Sequence, residues 1–203
     1  MVTSQAESQP AQSPIQKDSQ ALQRLRHTSA HILAMAVQTL FPETKVTIGP
    51  TTETGFYYDF DRKQPFTPED LSKIEAEMRR IIQANLPVIC EIVEREQIRD
   101  EIIELGENYK LEILNSIPEG ETITRYFIGN PDAGKLSDCR INLEPSLIEP
   151  ITLPPSEYWW DLCAGPHVNF TGEINPDALA VETVAGAYWR GDEKKPMLQR
   201  IYG

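Results

Sequence analysis

The chain of 203 residues is 40% hydrophobic and 25% charged, enough for one substantial domain or two small ones with a real buried core. Its formal net charge of −12 argues against a protein whose main task is gripping nucleic-acid backbone, because phosphate neutralisation needs clustered Lys and Arg. No run approaches the roughly 18 apolar residues that cross a bilayer, and neither segment of a secretory signal is present, so a cytoplasmic protein with no membrane partner is expected.

Residues 1–20, "MVTSQAESQPAQSPIQKDSQ", are rich in Ser and Gln with little to bury, which predicts a disordered leader ahead of a domain over 21–203. From Asp18 or Ser19 to Phe41, Leu22, Leu25, Ile32, Leu33, Ala36, Val37 and Leu40 recur at helical spacing until Pro42 stops the run. "KVTIGP" and "GFYYDF" read as two short strands joined by a loop around Thr51 to Gly55; Tyr57 and Tyr58 alternate, so one of them faces the core. A helix start follows, with Thr67 as cap, Pro68 at the first helical position and Asp70 three on from the cap. Leu71, Ile74, Met78, Ile81 and Ile82 then hold one face until "NLP". "VICEIV" reads as a strand, and a further helix covers roughly 96–116 with a break at Gly106. Pro131, Pro145, Pro150, Pro154 and Pro155 interrupt the next stretch, which predicts an inserted surface loop at about 130–157 containing an incidental Cys139. Short strands with Pro/Gly turns complete the chain. The fold class is α+β, an antiparallel sheet packed with helices. No internal repeat is seen.

The chemistry concentrates in two spaced pairs. "RHTSAH" places His27 and His31 four residues apart, so both imidazoles leave one helix face with Cβ atoms roughly 5–6 Å apart. "DLCAGPHV" places Cys163 and His167 on either side of "AGP", a turn able to bring them to the same small volume. The chain holds 3 histidines, and these pairs use all of them. The set is a plausible tetrahedral zinc site, and equally a metal-free acid/base cluster. It is not the metalloprotease pattern, because "HTSAH" lacks the glutamate of H-E-x-x-H. Cys90, Cys139 and Cys163 are odd in number and scattered, which fits reduced thiols. Arg24 and Arg26, and Arg190, Lys194, Lys195 and Arg200 near Asp192 and Glu193, read as solvated faces.

"RHTSAHILAMAVQTLFPETKVTIGPTTETGFYYDFD", "YKLEIL", "WWDLCAGPHV" and "ETVAGAYWRGDEKKPMLQRIYG" together resemble the editing domain of threonyl-tRNA synthetase of the bacterial and cyanobacterial type, within the threonyl/alanyl second additional domain superfamily. The resemblance covers about residues 22–203 outside the insert, with the motifs in family order. It implies either a free-standing relative or a piece of a synthetase. Position by position it implies His27, His31, Cys163 and His167 as a central cluster with Lys110 and Asp161 beside it, and Gly49 and Tyr58 around the bound serine or terminal adenosine. Without the resemblance, Lys110 reads as a surface lysine; with it, as an ammonium that stabilises an oxyanion or positions water. Asp161 either orients a histidine or caps the turn. The chain departs from the family where Ala164 replaces a common Arg, which weakens a phosphate or adenosine contact there.

The implied function has a physical basis. A threonine-activating site cannot reject serine strongly, because one missing methyl is worth about 1–3 kcal/mol. A second site must therefore hydrolyse seryl-tRNA(Thr), with water, a proton acceptor and a stabiliser for the tetrahedral intermediate. The implied partner is the acceptor end of tRNA(Thr) carrying serine, with a threonyl-tRNA synthetase as a second. No cofactor is required on this view. The alternatives are a zinc-dependent deacylase for another mischarged tRNA such as seryl-tRNA(Ala), as in the related alanyl type, and a catalytically silent tRNA-binding module.

Overall fold

The computed structural model describes residues 14–130 and 158–203, with the side chains of the first helix described from Ser19; residues 1–13 of the expected leader and nearly all of the expected insert, with Cys139, lie outside the described residues. Helix α1 spans Pro14–Leu40. It starts about a turn before the predicted Asp18 or Ser19, because proline is tolerated in a first helical turn and no breaker follows it. Every side chain from Thr28 to Val37 is buried. The helix is therefore not a surface amphipathic one but threads the core, as an all-round buried stretch requires.

Among the described residues the strands form two antiparallel sheets rather than one. Strands β1 (Lys45–Val46), β2 (Tyr57–Asp61), β6 (Thr183–Tyr188) and β7 (Met197–Tyr202) form a four-stranded sheet in the order β1-β2-β7-β6. Strands β3 (Val88–Val93), β4 (Ile123–Ile128) and β5 (Trp159–Leu162) form a second sheet in that order. β1 is shorter than "KVTIGP" predicts, although backbone bonds to the β2 region continue past it at Thr47, Ile48 and Pro50. Helix α2 (Pro68–Gln83) carries the capping box the sequence predicts: Asp70 N–H donates to Thr67 Oγ1 and Thr67 N–H to Asp70 Oδ2, each at 3.1 Å. The helix predicted over 96–116 is two, α3 (Arg95–Glu104) and α4 (Asn108–Ser116), with Gly106 between them at φ +66°.

A large core joins α1 and α2 to Tyr58, Phe60, Phe66 and Ile201, and a smaller one packs Ile98, Ile102 and Leu114 against Val93, Ile123 and Leu162 of the second sheet. Tyr58 is the core-facing member of its pair; Tyr57 lies half-buried beneath the Arg200 guanidinium, 3.8 Å from its ring centroid. These contacts bring α1, β2, the start of α4 and the end of β5 to one point.

Candidate active site

His27 and His31 lie one turn apart on α1, ring centroids 5.1 Å apart, with His27 half-buried and His31 buried. β5 ends at Leu162 and the chain turns back through "CAGPH". Gly165 sits at φ +70°, and a Cβ there would lie 2.3 Å from the Tyr126 hydroxyl oxygen, so both backbone and space demand glycine. The turn lets Gly165 N–H donate to Cys163 Sγ at 3.2 Å and sets His167 Nε2 3.3 Å from the same sulfur. His27 Nε2 reaches that sulfur from the helix at 3.4 Å. The His167 ring stacks on His27 at 4.2 Å and tilts against His31 at 4.3 Å. One donor atom from each of His27, His31, Cys163 and His167 falls within 4.8 Å of the others.

An ionic layer lies behind the cluster. Asp161 Oδ2 accepts a 2.5 Å hydrogen bond from the Tyr58 hydroxyl and stands 3.8 Å from His31 Nε2, while Oδ1 pairs with the Lys110 ammonium. Lys110 also donates to the Thr47 carbonyl at 2.6 Å and to the Tyr58 hydroxyl at 2.9 Å. Two of the ammonium's three N–H donors go to these oxygens, and its charge is paired with Asp161 Oδ1. Lys110 is thus no surface lysine: it is 3% exposed, and Asp161 likewise. Asp161 faces Tyr58, Lys110 and His31, and the turn's own N–H from Gly165 goes to sulfur instead. Gly49 packs flat on Tyr58, where a Cβ would come within 2.2 Å of the ring.

Burial sets the protonation states. It holds His27 below its usual value, against a raising hydrogen bond to Pro166, and holds His31 and His167 well below theirs, where the cost of a second charge beside a neighbouring imidazole, and for His31 the Lys110 ammonium, add to the effect. It pushes the Cys163 thiol up to about 12. At neutral pH the cluster is three neutral imidazoles and a thiol, backed by the Lys110–Asp161 ion pair. His27 Nδ1 lies 3.2 Å from the Pro166 carbonyl, which can only accept, so the His27 proton is on Nδ1 and Nε2 offers a lone pair to the sulfur side.

The donor set fits zinc by type: three imidazoles and one sulfur, with the Pro166 carbonyl on His27 in the place of the outer partner that a zinc-bound histidine uses. Zinc would ask the thiol to give up its proton. Of the residues expected on solvated faces, Arg24, Arg190, Lys194 and Lys195 are exposed, while Arg200 holds Asp59 through two bonds of 2.7 and 2.8 Å and Lys195 lies 3.6 Å from Glu112. Ala164 is exposed at the turn. The sequence gives no notice of the Thr47 carbonyl, of Tyr126 against His167 at 4.5 Å, or of Trp159, which donates to Gln38 at 2.6 Å and meets His31 edge-on. Thr28, fully buried beside His27, left one legible sign: a hydroxyl inside an otherwise apolar helical stretch.

Residues 126–202 match the family described as the threonyl and alanyl tRNA synthetase second additional domain. The chain carries that domain. Threonine–tRNA ligase of Gloeobacter violaceus is 52% identical over 188 residues, 93% of this chain and 26% of the relative. That of Synechococcus elongatus is 50% identical over all 203 residues and 29% of its own length. The chloroplastic/mitochondrial threonine–tRNA ligase 2 of Arabidopsis thaliana is 50% identical over 190 residues, 94% of this chain and 25% of the relative. The chain therefore spans between a quarter and three-tenths of the length of these curated relatives. The resemblance to threonyl-tRNA synthetase holds. The matched second additional domain contains Asp161, Cys163 and His167, whereas His27, His31, Tyr58 and Lys110 precede it and are covered by the full-length relatives. Among the described residues no helix is long and apolar enough to cross a membrane.

Proposed function

We propose that this chain is an aminoacyl-tRNA deacylase that clears serine from mischarged seryl-tRNA(Thr), as the editing domain of a threonyl-tRNA synthetase or a relative of one. The observation that carries the proposal is the meeting of His27, His31, Cys163 and His167 in one half-open cluster, in a chain whose relatives are threonine–tRNA ligases. A pure binding surface needs neither a thiol nor three converging imidazoles.

The reaction joins a water oxygen to the ester carbonyl carbon, then breaks the bond from that carbon to the ribose oxygen of the terminal adenosine. One water proton ends on the ribose oxygen, and the products are serine and uncharged tRNA. His27 is the most exposed imidazole and stays neutral, so its Nε2 lone pair is the proton acceptor nearest the substrate. Cys163, at the same rim, meets that lone pair with its S–H and relays the water proton to it. Lys110, Asp161 and Tyr58 act from below as positioning residues, holding His31 and the cluster's floor. Gly49 shapes that floor by giving Tyr58 room. Zinc, if bound by the four donors, would supply Lewis-acid polarisation of the ester carbonyl; the steps above need only side chains and water.

Serine release from seryl-tRNA(Thr), compared with seryl-tRNA(Ala) and buffer, tests the proposal. Fast release from the first supports it. Release confined to seryl-tRNA(Ala) would move the chain to the alanyl type, and none above buffer would leave a silent tRNA-binding module.

A further inference from the structure

We propose that Thr28 is a positioning residue that fixes the tautomer of His167, and through it the direction of a hydrogen-bond chain across the whole cluster. The inference deepens the proposed function.

A Thr or Ser inside a helix ordinarily turns its hydroxyl back to the carbonyl four residues earlier. Two neighbours on α1 do so: Ser29 Oγ donates to Leu25 at 2.9 Å, and Thr39 Oγ1 to Met35 at 2.8 Å. Thr28 instead points across the domain. Its Oγ1 accepts the Val168 N–H at 3.1 Å and lies 3.1 Å from His167 Nδ1. Val168 N–H can only donate, so it occupies an Oγ1 lone pair. Thr28 is fully buried, and among the described residues the acceptor within reach of its hydroxyl hydrogen is His167 Nδ1. Were Nδ1 to carry the proton, that hydroxyl hydrogen would be left unsatisfied in the interior, a costly state.

The His167 proton is therefore on Nε2, which faces Cys163 Sγ. The sulfur then accepts from His167 Nε2–H and Gly165 N–H, and its own hydrogen goes to His27 Nε2, the lone pair that the Pro166 carbonyl leaves free. The chain runs one way: Thr28 to His167, His167 to Cys163, Cys163 to His27, His27 to Pro166. His167 presents a hydrogen, not a lone pair, to the cluster. Thr28 thus biases the site toward a water-holding arrangement and away from metal ligation through His167 Nε2.

The test reads the tautomer directly. The chain has 3 histidines, so imidazole 15N NMR of labelled protein can be assigned with His27→Asn and His31→Asn variants. Wild type and Thr28→Ser, which keeps the hydroxyl, should both show His167 protonated on Nε2. Thr28→Val should move His167 toward the Nδ1–H form and lower kcat for seryl-tRNA(Thr) at least 10-fold with little change in KM, while Thr28→Ser stays within about 3-fold of wild type. A His167 protonated on Nδ1 in wild type, or unmoved in a folded Thr28→Val, overturns the inference. Should Thr28→Val fail to fold, the wild-type and Thr28→Ser spectra still decide. The spectra do not depend on turnover, so an inactive wild type would count against the deacylase reading and leave this one to be judged separately.

Discussion

The Cys163 sulfur stands 3.4 Å from His27 Nε2, although 136 residues separate the two in the chain. That contact ties the long first helix to the turn after β5, and it gives the thiol a neutral base as neighbour. The thiol itself is pushed up to about 12 by burial. Its role is then as S–H, not as a thiolate nucleophile. Alkylation of Cys163 by iodoacetamide should be slow at pH 7–8 and should accelerate about tenfold per pH unit, as the thiolate fraction does. Mass spectrometry of the modified peptide measures this; rapid, pH-independent labelling near neutrality would refute it.

Lys110 and Asp161 are a buried pair, each 3% exposed, and removing one charge strands the other. Lys110→Met should cost about 3–5 kcal/mol in urea unfolding. The double variant Lys110→Met, Asp161→Asn should recover much of that loss, because no bare charge is left inside. A single variant as stable as wild type would show that the pair is solvated.

The histidines give stability a pH dependence of defined sign. The folded values of His31 and His167 lie well below the usual 6.5, chiefly through burial, so the folded chain binds fewer protons than the unfolded one below that pH. Stability should be full above about pH 7 and fall as pH drops from 6.5 toward 5, by about 1.4 kcal/mol per pH unit for each buried histidine. Denaturant midpoints at several pH values would show it, and His31→Gln should flatten the slope by one histidine's share. A slope unchanged in that variant would mean that His31 is not held neutral.

Much of this was legible in the sequence, and the exceptions have physical causes. Thr67, Pro68 and Asp70 spell a capping box locally, so α2 could be placed before any tertiary contact was known. The spaced pairs His27/His31 and Cys163/His167 were legible because helix geometry and a Gly-Pro turn each dictate where their side chains go. The division into two sheets was not, since β2 pairs with β7 and β4 with β5 across long stretches of chain. Without the family resemblance Lys110 reads as exposed, because its partners, the Thr47 carbonyl and Asp161, come from remote elements. Thr28 gives weaker notice of its role, because a hydroxyl in a helix usually serves its own backbone.

The metal question has its own experiment. If the cluster holds water rather than zinc, exhaustive chelation should leave both hydrolysis and melting temperature unchanged. Were zinc held by His27, His31, Cys163 and His167, its binding energy would also be folding energy, and chelation would lower both together. Metal analysis of the purified protein, with loss and zinc-dependent recovery of both properties, would overturn the metal-free account.

The most direct measurement is single-turnover release of the amino acid from seryl-tRNA(Thr) and from threonyl-tRNA(Thr), by wild type and by Cys163→Ala. Wild type should hydrolyse the seryl ester much faster than the threonyl ester. Cys163→Ala should stay folded, its side chain being at the half-buried rim, and lose about 10- to 1000-fold on the seryl ester, the range for a lost positioning or proton-transfer group. Equal wild-type rates on the two esters, or a Cys163→Ala rate equal to wild type, would contradict the account.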